Sequence, residues 1–308
     1  MKIVFMGTPV FAVKSLERLY NDGYDIACVF TQADKPRNRG MKTSFSPVKE
    51  FASIRDIPVH QPLTLKDNKS ADIIRETGCD LIVVVAYGKL LPKEILTIPP
   101  LECINIHGSL LPKYRGAAPV QHTIINGEKI TGVTSQYISE AMDAGDIILT
   151  KSTDIGDDET SLQLSERLSD LSAELLSETV EAIASGTVKR YPQDHNEATY
   201  APLLTKDMSP VDWTKSAYQI KNKVRGLIPW PVATMSLNNE TLKIYAADAD
   251  ERDSGKKPGS IISSGSFGIE IACGNGTLTV KELQAPGGKR MYAAEYIKGN
   301  PVVSEWMK

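Results

Sequence analysis

Apolar positions in the first half of the chain come in short runs that alternate with stretches of helical spacing. Residues 2–6 form a β-branched and aromatic run that stops at Gly7, Thr8 and Pro9, after which Phe11, Leu16 and Leu19 recur at helical spacing up to Asn21, Asp22 and Gly23. The pattern predicts strand, turn, helix, turn. A second apolar run at 26–31 predicts another strand, a polar loop extends through Pro47, and a helical stretch begins at Val48. Residues 80–86 are almost continuously apolar, as expected of a strand buried on both faces. Together these runs predict an α/β fold with a doubly wound, mostly parallel, Rossmann-like sheet. Leu162, Leu168, Leu171, Leu175, Leu176, Val180 and Ile183 predict one amphipathic helix over 160–185, with Asp157, Asp158 and Glu159 at its positive N-terminal end and Gly186 at its stop. From 189 to 208 the chain is polar and irregular, which predicts a linker between a domain at 1–188 and a smaller one at 209–308. The second domain holds a helical segment around 213–226, a corner at Pro229, Trp230 and Pro231, and short strands separated by Asn-Asn, Ser-Gly and Gly-Gly turns. These features predict a mostly antiparallel, OB-like β-barrel.

Length agrees with two domains, since 308 residues exceed the size at which one core usually splits. No stretch approaches the roughly 20 uninterrupted apolar residues of a membrane helix, and the apolar run at the start is too short for a secretory signal. A cytoplasmic protein with no membrane partner is expected. Cys28, Cys79, Cys103 and Cys273 lie far apart, without the paired short spacings of a zinc site or a disulfide framework, so reduced thiols and no metal are expected. The first turn has one glycine, Gly7, where a dinucleotide fingerprint has three, which disfavours a nicotinamide or flavin cofactor. The net charge of −3 hides an asymmetry: residues 206–308 carry 14 Lys and Arg against 11 Asp and Glu, and residues 1–205 carry 21 against 27. Chance scatter on solvated faces competes with a polyanion partner here, and the charge decides between them only together with other evidence.

Candidate chemistry concentrates in two places. In the segment 103–112, Asn105 and His107 alternate with Ile104 and Ile106, so a strand sends the two polar side chains to one face. Strands of a doubly wound sheet are normally apolar on both faces, and open α/β sheets place their sites at strand ends. The competing reading is a pair of hydrogen-bonded core residues. His60, His122 and His195 lack such context and are read as structural or surface residues. The second cluster is Glu140, Asp143 and Asp146, set among small residues between strand-like runs at 133–138 and 147–150. Taken alone, a solvent-exposed turn there competes with a held carboxylate.

Asn105-Ile106-His107, the following Gly-Ser-Leu-Leu-Pro-Lys-Tyr-Arg-Gly-Ala-Ala-Pro through Pro119, and Met142-Asp143-Ala-Gly-Asp146 resemble the formyltransferase family that uses 10-formyltetrahydrofolate. The resemblance spans most of residues 1–186. It implies that Asn105, His107 and Asp143 are catalytic and that Ser109, Leu110, Leu111 and Pro112 contact the folate. It also implies that Val85, Ala86, Tyr87 and Gly88, with Leu90 and Leu91, help wall the pterin pocket. These roles make chemical sense. When an amine attacks a formyl carbon, the carbonyl oxygen gains negative charge and the nitrogen becomes acidic, so donors are needed at the one and a proton acceptor near the other. Asn105 and His107 can donate, and Asp143 can orient the imidazole and help pass protons through a water. No metal is required.

Family membership leaves the amine open. The segment 32–49 resembles the tRNA-binding insertion of those members that formylate charged initiator tRNA. Its Lys35, Arg37, Arg39 and Lys42 face Asp34 as a local acid, and Arg39 before Gly40 resembles the arginine on which those members rely. Where the family loop commonly shows Gly-Arg-Gly, this chain has Asn38-Arg39-Gly40. The string 222–233 resembles the hallmark of the family's second domain, with Trp230 expected in the core and Lys206, Lys221 and Lys223 as phosphate contacts. The chain ends at Lys308 without a dehydrogenase or decarboxylase module, which disfavours bifunctional relatives. The expected partners are therefore charged initiator tRNA and folate, with the protein a monomer. The alternatives are an amino sugar nucleotide as acceptor and, in a different class, a non-catalytic folate- or RNA-binding module.

Overall fold

The N-terminal apolar run forms β1 (Lys2–Gly7), with Ile3, Val4, Phe5 and Met6 fully buried, and α1 (Val10–Asn21) follows it, burying Ala12, Ser15, Leu16 and Leu19. The structure, a computed structural model, describes residues 1–37 and 42–302. β2 (Asp25–Phe30) leads to a small antiparallel pair, β3 (Lys35–Arg37) and β4 (Lys42–Ser44). Helix α2 (Pro47–Ile54) starts where the sequence says it should. Pro47 occupies its first turn, and the Ser46 hydroxyl before it accepts the Lys49 N–H at 3.1 Å. Then come β5 (Val59–His60), α3 (Asn68–Thr77), β6 (Leu81–Val85), the short α4 (Lys93–Leu96), β7 (Cys103–His107), α5 (Pro119–Ile125), β8 (Ile130–Tyr137), β9 (Ile147–Asp154) and the long α6 (Ser161–Ala184).

Among the described residues these elements build a seven-stranded sheet in the order β5-β2-β1-β6-β7-β8-β9. The first five strands are parallel, while β8 runs antiparallel to β7 and β9 antiparallel to β8. The sheet is thus mostly parallel, and β6 is buried at every position, which is what a continuous Leu-Ile-Val-Val-Val run dictates. In α6, Leu164, Leu168, Leu175, Leu176, Val180 and Ile183 are buried. Leu162 does not belong to that stripe and is 53% exposed; Leu164, four residues before Leu168, takes the place expected of it. Asp157 and Asp158 make ion pairs with Lys129 and Lys221.

The chain divides into two compact units, one of Met1–Pro119, Ile130–Asp154 and Ser165–Pro202, the other of Val120–Lys129, Ile155–Leu164 and Leu203–Lys308. Residues 189–202, read from sequence as part of a linker, lie in the first unit. Tyr191 bridges to Ile147 there, and Tyr200 bridges to Arg115.

The second unit contains α7 (Ala217–Gly226), β10 (Ala233–Leu237), β11 (Glu240–Asp250), β12 (Ile261–Gly265), β13 (Gly268–Ala272), β14 (Thr277–Gln284), β15 (Met291–Tyr292) and α8 (Ala293–Gly299). A reciprocal capping box between Ser216 and Gln219 starts α7, so Trp213 falls before the helix. The strands form an antiparallel sheet in the order β10-β11-β14-β13-β12, with β15 on β14; α7 packs on β11 and β14, and α8 on β12, β13 and β14. Trp230 is 49% exposed, contrary to the core position expected for it. Leu227, Val232 and Ala233 on either side supply the buried groups, and the peptide bonds before Pro229 and Pro231 are cis.

Arg225 at the end of α7 is buried at 6% exposure, where it donates to the carbonyls of Gly156 at 2.9 Å and Glu159 at 3.0 Å and to the Asn222 side chain at 2.9 Å. Removing it forfeits three charge-assisted hydrogen bonds to part-buried acceptors, each worth about 1 kcal/mol or more, and the packing of a buried side chain. Arg225→Ala is therefore expected to lower the unfolding free energy by about 2–5 kcal/mol, read from the urea midpoint.

Candidate active site

β7 lies between β6 and β8, with Asn105 opposite Val84 and Gln136, and His107 at the strand's end opposite Thr134. The alternation read from sequence holds: Ile104 and Ile106 are buried, and Asn105 is half-buried. Among the described residues the Asn105 side-chain amide has no hydrogen-bond partner, which is unlike a satisfied core asparagine and leaves it available to a ligand. His107 is 6% exposed, and its Nε2 lies 2.8 Å from the Tyr114 carbonyl. A carbonyl only accepts, so Nε2 carries a hydrogen and Nδ1 is the ring atom left for other partners.

That nitrogen faces Asp143, whose Oδ2 is 3.7 Å away. The acid is not a solvated turn residue: its side chain is 16% exposed, Oδ2 accepts the Gly116 N–H at 2.8 Å, and Oδ1 accepts from Gln136 Nε2 at 3.3 Å. Its loop leaves β8 at the level of Cys103, where Ile138 N–H bonds the Cys103 carbonyl, and folds back toward His107. Two features permit this path. Asp143 adopts φ +51, and Gly145 approaches the Tyr137 carbonyl so closely that a Cβ there would sit 1.8 Å from the oxygen.

The residues expected to hold folate divide into two kinds. Ser109 is fully buried, and its hydroxyl donates to the Lys113 carbonyl at 2.7 Å, while Thr134 Oγ1 donates to the Ser109 carbonyl and accepts the Leu111 N–H. Ser109 and Leu111 thus shape the loop after β7, and Leu110 and Pro112 remain half-buried at its surface. Ala86 at φ +47 is exposed directly after β6, beside the end of β7, and Gly88 has φ +78. Leu90, at 71% exposed, and Met142, at 53%, add apolar surface of the kind a flat ring system covers. Tyr87 is different. Its side chain is 1% exposed in the core cluster with Val4, Phe30, Leu65 and Ile95, its hydroxyl has no hydrogen-bond partner, and burial pushes its pKa up to about 12. Its carbonyl is the part that binds, accepting from Thr8 Oγ1 and Gln32 Nε2.

A separate cavity of about 330 Å³ is lined by Leu65, Asp67, Asn68, Ala71, Pro92 and others and includes none of these polar groups. Among the described residues no cluster of three or more His, Cys, Asp or Glu could hold a metal ion, and no helix is long and apolar enough to cross a membrane. All four cysteines are free and buried.

The basic residues expected to meet tRNA separate likewise. Lys35 and Arg37 lie on β3 and Lys42 on β4, with Arg37 opposite Lys42; Arg39 lies outside the described residues. Asp34, the acid of that segment, is ion-paired to Lys49, whose hydrogen bond holds the carboxyl below its usual range. In the second unit, Lys221 is paired to Asp158, and Lys223 Nζ donates to the Pro210 carbonyl at 2.6 Å with its pKa lowered by burial. These two lysines thus have partners within the second unit, and Lys206 is exposed.

Sequence reading overlooked Gln136, Arg115 and Gln193, all buried beside Asp143. The polar run Thr134, Ser135, Gln136 inside a buried strand is a signal that was available for the first. His195, read as structural or surface, is exposed, and its Nδ1 lies 3.0 Å from Arg115 Nη2.

Residues 1–180 match the family model described as formyl transferase, and residues 203–301 match the formyl transferase C-terminal domain. The chain is 48% identical over 303 residues to the methionyl-tRNA formyltransferase of Acetivibrio thermocellus, covering 98% of this chain and 97% of that protein. It is 47% identical over 302 residues to the methionyl-tRNA formyltransferase of Alkaliphilus oremlandii, with the same coverage. Its fold resembles the crystal structure of WlaRD, a sugar 3N-formyl transferase in the presence of dTDP and 5-N-formyl-THF, at a TM-score of 0.69 and 19% identity, covering 91% of this chain and 97% of that one.

Because the Tyr87 hydroxyl is buried without a partner, Tyr87→Phe is expected to raise the unfolding free energy by about 1 kcal/mol and to leave turnover unchanged. A denaturant melt and a steady-state assay check both; a large loss of activity would return the hydroxyl to the ligand pocket.

Proposed function

The chain belongs to the formyl transferase family, and from that premise we propose that it transfers the formyl group of 10-formyltetrahydrofolate to the amino group of methionyl initiator tRNA. The observation that carries the acceptor is similarity along the whole chain: relatives at 44–48% identity covering 98–99% of it are named methionyl-tRNA formyltransferase. On this reading the first unit, residues 189–202 included, is the catalytic domain, and the second unit, which holds 209–308, is the tRNA-binding domain.

When bound, the folate supplies the formyl carbon on a nitrogen leaving group. Asn105, whose amide is uncommitted, donates to the formyl oxygen as negative charge grows there. The imidazole of His107 is anchored through Nε2 to the Tyr114 carbonyl, so Nδ1 is presented to the reacting centre. Asp143 beside that nitrogen takes up, through a water, the proton the amine sheds as the new C–N bond forms. The same pair returns a proton to the folate nitrogen as the old C–N bond breaks. Ala86, Leu90, Leu110 and Pro112 give the folate ring its apolar wall, with Gly88 at the turn between them.

Acceptor recognition falls to charge outside this site. Lys35, Arg37, Arg39 and Lys42 contact the acceptor stem, and exposed lysines of the second domain, Lys206 among them, meet backbone phosphates. The deciding assay incubates the protein with 10-formyltetrahydrofolate and charged initiator tRNA and follows N-formylation. Transfer to an amino sugar nucleotide in its place would overturn the acceptor assignment.

His107→Ala and Asp143→Asn are each expected to lower kcat by about 10² or more with little change in folate affinity; a variant keeping a tenth of wild-type turnover leaves the catalytic set. Arg39→Ala is expected to raise KM for charged tRNA while KM for the folate donor stays as in wild type, measured by varying each substrate in turn.

A further inference from the structure

Arg115 sits in the loop after β7 at 4% exposure, and among the described residues it makes no ion pair. Its Nε and Nη2 donate to Gln193 Oε1 at 3.2 and 2.6 Å. Gln193, 7% exposed, donates from Nε2 to three oxygens: the carbonyl of Asp143 at 2.9 Å, the carbonyl of Gly145 at 2.7 Å and Gln136 Oε1 at 3.1 Å. Gln136, 1% exposed, passes the series on, donating from Nε2 to Asp143 Oδ1. The orientation of both amides is forced. A guanidinium cannot accept and a carboxylate cannot donate, so every donor along the path points from Arg115 toward Asp143.

We propose that Arg115, Gln193 and Gln136 are positioning residues for Asp143, a relay that holds the 141–145 loop in its left-handed turn and sets the carboxylate against His107. The inference rests on the formyl-transfer reading of the site. No other side chain of this size replaces Gln193, because its oxygen must accept from a guanidinium while its nitrogen donates to two backbone carbonyls. One of those carbonyls belongs to Asp143 itself at φ +51, a conformation that a non-glycine residue keeps only when its surroundings fix it. The same segment is zipped to the loop after β7 from outside, since Arg115 N–H bonds the Thr199 carbonyl at 2.8 Å and Ala201 N–H the Arg115 carbonyl at 2.7 Å.

Gln193→Glu separates the two ends of the relay. The carboxylate still accepts from Arg115, as a buried ion pair, but it has no hydrogen for the Asp143 and Gly145 carbonyls. The expected result is a folded protein with KM for the folate donor within about threefold of wild type and kcat reduced by about 10- to 100-fold, the scale of a misplacement near 1 Å. The ring 15N resonances of His107 should shift as well. Gln136→Glu, which keeps the acceptor for Gln193 and loses the donor to Asp143, should show the same pattern and serves if the first variant does not fold. A kcat within twofold of wild type overturns the proposal. So does a loss that follows only the fraction of folded protein, or an unmoved His107 spectrum. The spectrum needs no amine substrate. A wild-type protein that fails to formylate charged tRNA therefore counts against the acceptor reading and leaves the relay decided by its own measurement.

Discussion

The site hangs on a carboxylate brought back against the direction of its strand. Because β8 runs antiparallel to β7, the chain after Tyr137 emerges level with Cys103, and Asp143 must return along the sheet to come within 3.7 Å of His107. A left-handed aspartate costs on the order of 1–3 kcal/mol, and it persists only where the surroundings over-determine it. Here they do: Gly116 and Gln136 hold the two carboxylate oxygens, Gln193 holds the carbonyls on either side of Ala144, and Gly145 has no Cβ to strike the Tyr137 carbonyl. Hydrogen bonds from neutral amides thus fix the carboxylate without a direct ion pair, and those that reach its oxygens are charge-assisted and the stronger for it.

Much of the fold was legible because burial writes a period into the chain. Leu81 to Val85 read as a strand buried on both faces and are one; Asn105 and His107 stood out because they interrupt such a strand at every second place. Single residues fared worse where period alone had to set a phase. Leu162 was counted into the α6 stripe though Leu164 fills that place, and Trp230 was placed in the core though its neighbours occupy it. Tyr87, expected beside the pterin, has its side chain in the core. The positive φ values at Ala86 and Gly88 turn its side chain into the core, and no sequence pattern announces such a turn unless glycine stands at both positions.

Gln193 shows a deeper limit. It lies in a polar, proline-containing stretch that has no periodicity, and its partners Arg115, Gln136 and Asp143 are 78, 57 and 50 residues away. A polar residue buried for a long-range network looks, in sequence, like any solvated one. The segment 189–202 therefore read as a linker, although it closes the first unit around the candidate site.

The fold by itself leaves the acceptor open. A sugar formyl transferase of 19% identity shares the fold at a TM-score of 0.69. The polar set around Asp143 is almost wholly buried. The cations proposed above to meet tRNA belong to other elements: Lys35 and Arg37 to β3, Lys42 to β4, next to the segment where Lys49 pairs with Asp34, and Lys206 to the second unit. The residues that hold Asp143 cannot change one at a time without stranding a buried donor or acceptor.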